Sequence, residues 1–401
     1  MHDMSDAVLN KAVARLSSIT PAKARFFRVG EVAAGRLEDE LADQKFYYVS
    51  LYDHCIGMAF RRINGINFII SNTFLSSHAY NLALTFTWRQ GGGAEARKDV
   101  RLAALRHNYK KFFAECVLRT RNRLIGRAML LETILYEQDL VAPMFGAARS
   151  DPKWGEKARD IARLMTYLPS HHELVHYFKY RGGDRFREVE QAMFGGNATS
   201  MLSLVEQQYG SKFAEEVCCD AVAAHNAVSG LEGSANEDDL TVRVRMVALA
   251  FLLFADLVSL EKSAQATADS NLEEDNAIDL TSEKRPKIPF TFVQVLTPDH
   301  DLRTGYIVDL LSRYLGDRGK ALFGDDGPFP FPISAKDELK EALETFTHAT
   351  PPLDNGLTGT NDHRRGLAQL VAESMHGQDQ AAEFLLWRSK QFSVGDAPID
   401  P

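Results

Sequence analysis

The chain has 401 residues, a formal net charge of −8 and 45% hydrophobic residues, enough to bury one large core or two moderate ones. An acidic balance with no basic stripe argues against nucleic acid as a partner, because phosphate binding needs a concentration of Lys and Arg. Four cysteines, two of them adjacent, do not form a disulfide framework and point to a reducing, cytoplasmic setting.

In chain order, residues 1–44 read as an N-terminal helical segment, with an amphipathic pattern over 5–17 and no apolar signal core. The β signal lies at 46–72. FYYVSLY is rich in β-formers, and IGMAFRR and INFIISN flank Asn64-Gly65, a strong hairpin signal. After Gly91-Gly92-Gly93 the pattern turns helical over 95–123, 124–142 and 155–167. The basic residues between Arg97 and Arg127 interleave with apolar ones, as on a solvated helix face.

Residues 168–178, LPSHHELVHYF, contain His172-Glu173-Leu174-Val175-His176. Two imidazoles four residues apart lie one turn apart on one helical face and can reach a single metal ion. With His172 at zero, His176 falls near roughly 40° and Glu173 near roughly 100° at about 100° per residue. Leu174, Val175 and Phe178 lie on the far side, and so does His171, which makes His171 a poor ligand. Ser170 reads as an N-cap marking the helix start. Glu173 sits where it can take a proton from a metal-bound water.

Residues 211–227, SKFAEEVCCDAVAAHNA, form a second helical pattern. Glu216 and Asp220 share a face flanked by Ala223 and Ala224, while Glu215, Cys218 and His225 turn away from it. Cys219 is a rival third ligand, since thiolates bind zinc well. Residues 228–240 read as an acidic loop, and 246–260 (MVALAFLLFADLVSL) as a buried helix behind the Glu216 helix, too short to span a bilayer. Residues 266–287 read as a flexible acidic insertion, and TPDHDLRTGYIVDLL (297–311) places His300 and Arg303 just before a helix. A Pro/Gly linker at 323–333 leads to a helical region with patterns near 335–347, 362–375 and 378–391.

HExxH followed by a Glu, with an Asp four residues beyond, resembles the gluzincin zinc metallopeptidases; here Glu216 follows His176 by 40 residues. The resemblance covers about two dozen residues and is at the level of the clan. It implies an α+β, zincin-like core over 45–322, with zinc held by His172, His176 and Glu216, and with Asp220 orienting a ligand histidine. A related pattern, in which a His-Pro precedes an Arg, is matched imperfectly because Pro298 lies two residues before His300. It implies that His300 stabilises an oxyanion or that Arg303 anchors an ion pair. It further implies that an edge strand, here 66–72, receives the substrate backbone. The expected activity is that of an intracellular endopeptidase acting on protein or peptide, with neither nucleic acid nor membrane as partner. The alternative is a regulatory or protein-binding module on the same scaffold.

Overall fold

A computed structural model describes residues 26–31, 46–51, 57–63, 66–72, 75–87, 94–120, 152–180, 204–229, 237–270 and 298–314, with single positions at 126, 130 and 133. These residues form four strands, β1 (Phe26–Glu31), β2 (Phe46–Leu51), β3 (Ala59–Ile63) and β4 (Ile66–Asn72). The helices are α1 (Leu75–Thr87), α2 (Ala94–Leu118), α3 (Pro152–Tyr180), α4 (Ser211–Ser229), α5 (Glu237–Ser270) and α6 (Pro298–Tyr314). The architecture is mostly helical with one small mixed sheet, an α+β arrangement.

The sheet order is β1-β2-β4-β3. β3 and β4 pair antiparallel with Phe60 opposite Ile69, as expected of strands joined through Asn64-Gly65. β2 runs parallel to β4, and β1 antiparallel to β2 with a register shift between Phe26 and Arg28. Two expectations are corrected here. β1 falls inside the segment read as helical; the 5–17 pattern lies outside the described residues. And β4, the strand read as an edge, is internal. Its Phe68, Ile69 and Ile70 are buried, which suits a strand flanked on both sides. Among the described residues β1 and β3 are the outer strands, and Arg61 and Arg62 of β3 remain exposed, as charges on an edge strand do.

α1 was not legible as a helix. Its Leu75, Ala79, Tyr80, Leu82, Ala83, Leu84 and Phe86 are all buried, and so are the polar His78, Asn81 and Thr85, so its polar residues do not mark a solvent face. α2 ends at Leu118, earlier than the 95–123 pattern, and the 124–142 pattern lies mostly outside the described residues. α3 is one helix where a break at Ser170 was expected; it runs through Pro169. Proline removes one i→i−4 bond, yet burial of Ile161, Met165, Leu168 and Leu174 on the core side holds both halves in line. Ser170 does not cap: its Oγ donates back to the Thr166 carbonyl at 2.7 Å.

α4 begins at a defined point. Gly210 has φ 91°, and its N–H closes on the Glu206 carbonyl at 2.8 Å, ending the preceding helical turns. Its own carbonyl accepts from Ala214 N–H at 3.2 Å, which starts α4 and sets the phase of Glu216. Between α4 and α5 the acidic loop is shorter than expected, because α4 reaches Ser229 and α5 starts at Glu237. α5 contacts every other helix described and forms the centre of the core. It also runs to Ser270, so the first residues of the expected 266–287 insertion are helical; 271–287, the 323–333 linker and the C-terminal patterns lie outside the described residues. Among the described residues no helix is long and apolar enough to cross a membrane.

Candidate metal centre

α3 and α4 pack side by side and bring the two sequence patterns together. His172 and His176 stand one turn apart with ring centroids 4.7 Å apart, and their Nε2 atoms approach to 3.0 Å. Glu216 completes the group, with one carboxylate oxygen 3.2 Å from His172 Nε2 and the other 3.4 Å from His176 Nε2. Ligands bonded to zinc at about 2.0–2.1 Å in tetrahedral geometry stand about 3.3 Å from one another. The imidazole separation of 3.0 Å is close to that spacing, a different Glu216 oxygen approaches each imidazole, and the group, whose ligand atoms lie within 4.8 Å of one another, could hold a metal ion.

Both imidazoles turn Nε2 inward because Nδ1 is held from behind. His172 Nδ1 lies 2.7 Å from Asp220 Oδ1, the contact that the gluzincin resemblance implies. His176 Nδ1 lies 3.2 Å from Glu215 Oε1, a residue the helical angles had turned away. The angles measure direction around α4 alone. α3 crosses it so that Glu216 and Glu215 reach opposite nitrogens of His176. The one hint in the sequence was the doubled acid, Glu215-Glu216.

Arg303 of α6 enters from the third side. Its Nε and NH2 donate to Asp220 Oδ2 and Oδ1 at 2.6 and 2.9 Å, and its NH1 lies 3.4 Å from Glu216 Oε2. This is the local ion-pair role expected of Arg303. His300 was read as preceding the helix but belongs to the first turn of α6; its side chain lies outside the described residues.

The charges follow from these contacts. Burial opposes ionisation of Asp220, but His172 and Arg303 outweigh it and hold its carboxyl below the ordinary value. Burial likewise disfavours charge on His172, yet Asp220 and Glu216 overcome it and raise the imidazole to about 9. Hydrogen bonds from His172 and His176 hold Glu216 well below the usual carboxylate range. A bound cation would take the place of the imidazole proton that this carboxylate now attracts.

Glu173 projects beside the group. Its Oε2 accepts the Phe60 N–H of β3 at 3.0 Å, and the Phe60 ring packs on Tyr177 at 4.9 Å. Burial raises the Glu173 pKa, opposed by His172, this N–H and His176. Cys219 is fully buried, its thiol pushed well up by burial and then by Cys218 and the nearby carboxylates. It approaches the Nδ1 edge of His176 at 3.6 Å, the side away from Glu216 Oε1, so Glu216 and not Cys219 is the third donor. His171 is buried against Tyr167, ring stacked on ring at 3.6 Å, and burial lowers its pKa to about 4. A cavity of about 200 Å³ opens onto His172, Glu173, Glu216 and Arg303.

Comparison with family models, with curated proteins and with solved structures found no match for this chain.

Proposed function

We propose that this chain is a zinc-dependent endopeptidase with a gluzincin-like site, acting on protein or peptide in the cytoplasm. The observation that carries the reading is the convergence of His172, His176 and Glu216 at ligand-to-ligand spacing, with Glu173 on the same cavity wall. Two nitrogens and one carboxylate oxygen suit zinc, and three protein ligands leave a position for water, the pattern of catalytic rather than structural sites. Zinc held there would polarise a carbonyl and lower the pKa of bound water towards 7. Cys116, Cys218 and Cys219 are thiols and not disulfide halves, in keeping with a reducing compartment.

The residues divide the work. Glu173 takes the proton from water and returns it to the leaving nitrogen; burial raises its pKa towards that of a useful general base. Asp220, itself fixed by Arg303, keeps His172 in the tautomer that offers Nε2. The Phe60 N–H holds Glu173 at the cavity wall. β3, as the edge strand adjoining α3, takes the place of β4 as the strand available to a peptide backbone.

Glu173→Gln is the deciding variant. It should retain one zinc per chain and lose peptide hydrolysis by at least about 10²-fold, the low end of what a general base contributes. Comparing new protein termini in cells carrying the wild type and this variant would reveal the substrates. Undiminished hydrolysis in Glu173→Gln would end the assignment.

A further inference from the structure

The cavity at the metal centre has a second wall that the proposed chemistry does not use. Phe251, Phe254, Ala255 and Val258 of α5 all line it. Spacings of three, four and seven residues place these four on one stripe of the helix. Another face of α5 is engaged elsewhere: Tyr109 of α2 donates to Asp256 at 2.8 Å, and Arg119 pairs with Glu261 at 3.4 Å. The stripe carries no charge until Lys262, exposed, one turn beyond Val258. The cavity lining therefore combines His172, Glu173 and Glu216 with an apolar helix stripe.

Its size narrows the occupant. Clefts that engulf a drug-sized molecule measure roughly 300–1,000 Å³. An apolar cavity of about 150 Å³ accommodates a benzene ring. At about 200 Å³ this one is on the scale of a single large apolar side chain rather than a drug-sized molecule. Ala255 sits mid-stripe between larger neighbours, where a longer side chain would occupy that room.

We propose that the α5 stripe is the specificity wall of the enzyme, seating one aromatic or branched apolar side chain of the residue that adjoins the bond cleaved at the metal centre. This rests on the metallopeptidase reading above. Ala255 and Val258 bound the seat, and the occupant is a peptide side chain because His172, Glu173 and Glu216 line the same cavity.

The test uses binding, not turnover. The zinc-loaded full chain is titrated calorimetrically with acetohydroxamic acid, which supplies the metal-binding head alone. It is then titrated with three succinyl hydroxamates of one scaffold bearing methyl, isobutyl or benzyl. Isobutyl and benzyl should bind at least about tenfold tighter than methyl, since even one methylene in an apolar pocket changes selection about 10–200-fold. Ala255→Phe should erase the benzyl advantage while leaving acetohydroxamic acid unaffected. Val258→Ala, which removes volume and so avoids overpacking, should shift the preference from benzyl to naphthylmethyl. Equal affinity for the three side chains, with the head group binding normally, overturns the specificity wall and leaves the metal reading standing. Failure of acetohydroxamic acid itself to bind the zinc-loaded chain overturns the metal reading and this proposal together.

Discussion

A carboxylate with only 4% of its surface exposed stays ionised only if its oxygens are filled, and Asp220 fills both. Oδ1 meets His172 and Arg303, and Oδ2 meets Arg303 again. Asp220→Asn keeps the shape and removes the charge. Metal affinity should fall about 10–100-fold, the usual cost of losing such an outer partner, as read by competition with a zinc chelator. Unchanged affinity would make Asp220 a structural anchor only. Phe60 is tested differently, because its contribution to Glu173 is a backbone N–H. A proline on an edge strand is tolerated where that N–H is not part of the ladder. Phe60→Pro should therefore lower kcat with the fold retained, whereas Phe60→Leu, which keeps the N–H, should not; equal kcat in both variants would dismiss the contact. The contrast explains what the sequence disclosed at this scale. His172, Glu173 and His176 were readable because spacing along a helix fixes direction, which also put Glu216 and Asp220 on one face; their roles came from the gluzincin resemblance. The Phe60 N–H and Glu215 were not readable, because each acts across a tertiary contact whose angle no spacing encodes.

Among the elements, the patterned helices were legible and the fully buried one was not. α4 declared itself by an alanine face, and α5 by its apolar run. α1 hides because His78, Asn81 and Thr85 are buried together with its apolar residues, so polarity along the sequence does not mark a solvent face. His78 Nε2 lies 2.6 Å from Glu115 Oε2 of α2, with both side chains buried. Burial lowers the His78 pKa and outweighs the attraction of Glu115, while Lys111 and Arg119 lower it further. The imidazole is therefore neutral in the fold and donates its Nε2–H to Glu115. In the unfolded chain it titrates near about 6.5. A depressed folded value means that the stability contributed is full above that pH and is lost as pH falls below it towards the folded value. Urea midpoints measured at pH 7.5 and pH 5 should thus drop more in the wild type than in His78→Gln, which keeps a donor but does not titrate. An equal drop would show that the pair is insensitive to protonation. The joined helix α3 teaches a related lesson. Pro169 and Ser170 carry strong local signals for a helix start, and core packing on Met165, Leu168 and Leu174 overrides them.

At the scale of the molecule, the candidate site ties together three helices that are distant in sequence. His172 and His176 come from α3, Glu216 and Asp220 from α4, and Arg303 from α6. An ion bound there joins α3 to α4 and is bound by the folded chain alone, because the unfolded chain offers no such preformed group. Folding is then stabilised by mass action, by about 2.7 kcal/mol when free zinc stands at 100 times its Kd. Small zinc modules unfold outright without their metal. This chain should not. Glu216 pairs with both imidazoles and Arg303, and the core cluster extends through α1, α2 and α5, none of which supplies a donor. Chelation should therefore lower Tm by a few degrees and leave helical circular dichroism intact, and added zinc should restore the loss. His176→Ala should fold and show no response to either treatment. Collapse of the helical signal on chelation would mean that the ion is part of the core. A wild-type Tm indifferent to zinc would mean that the three donors hold one another and no metal.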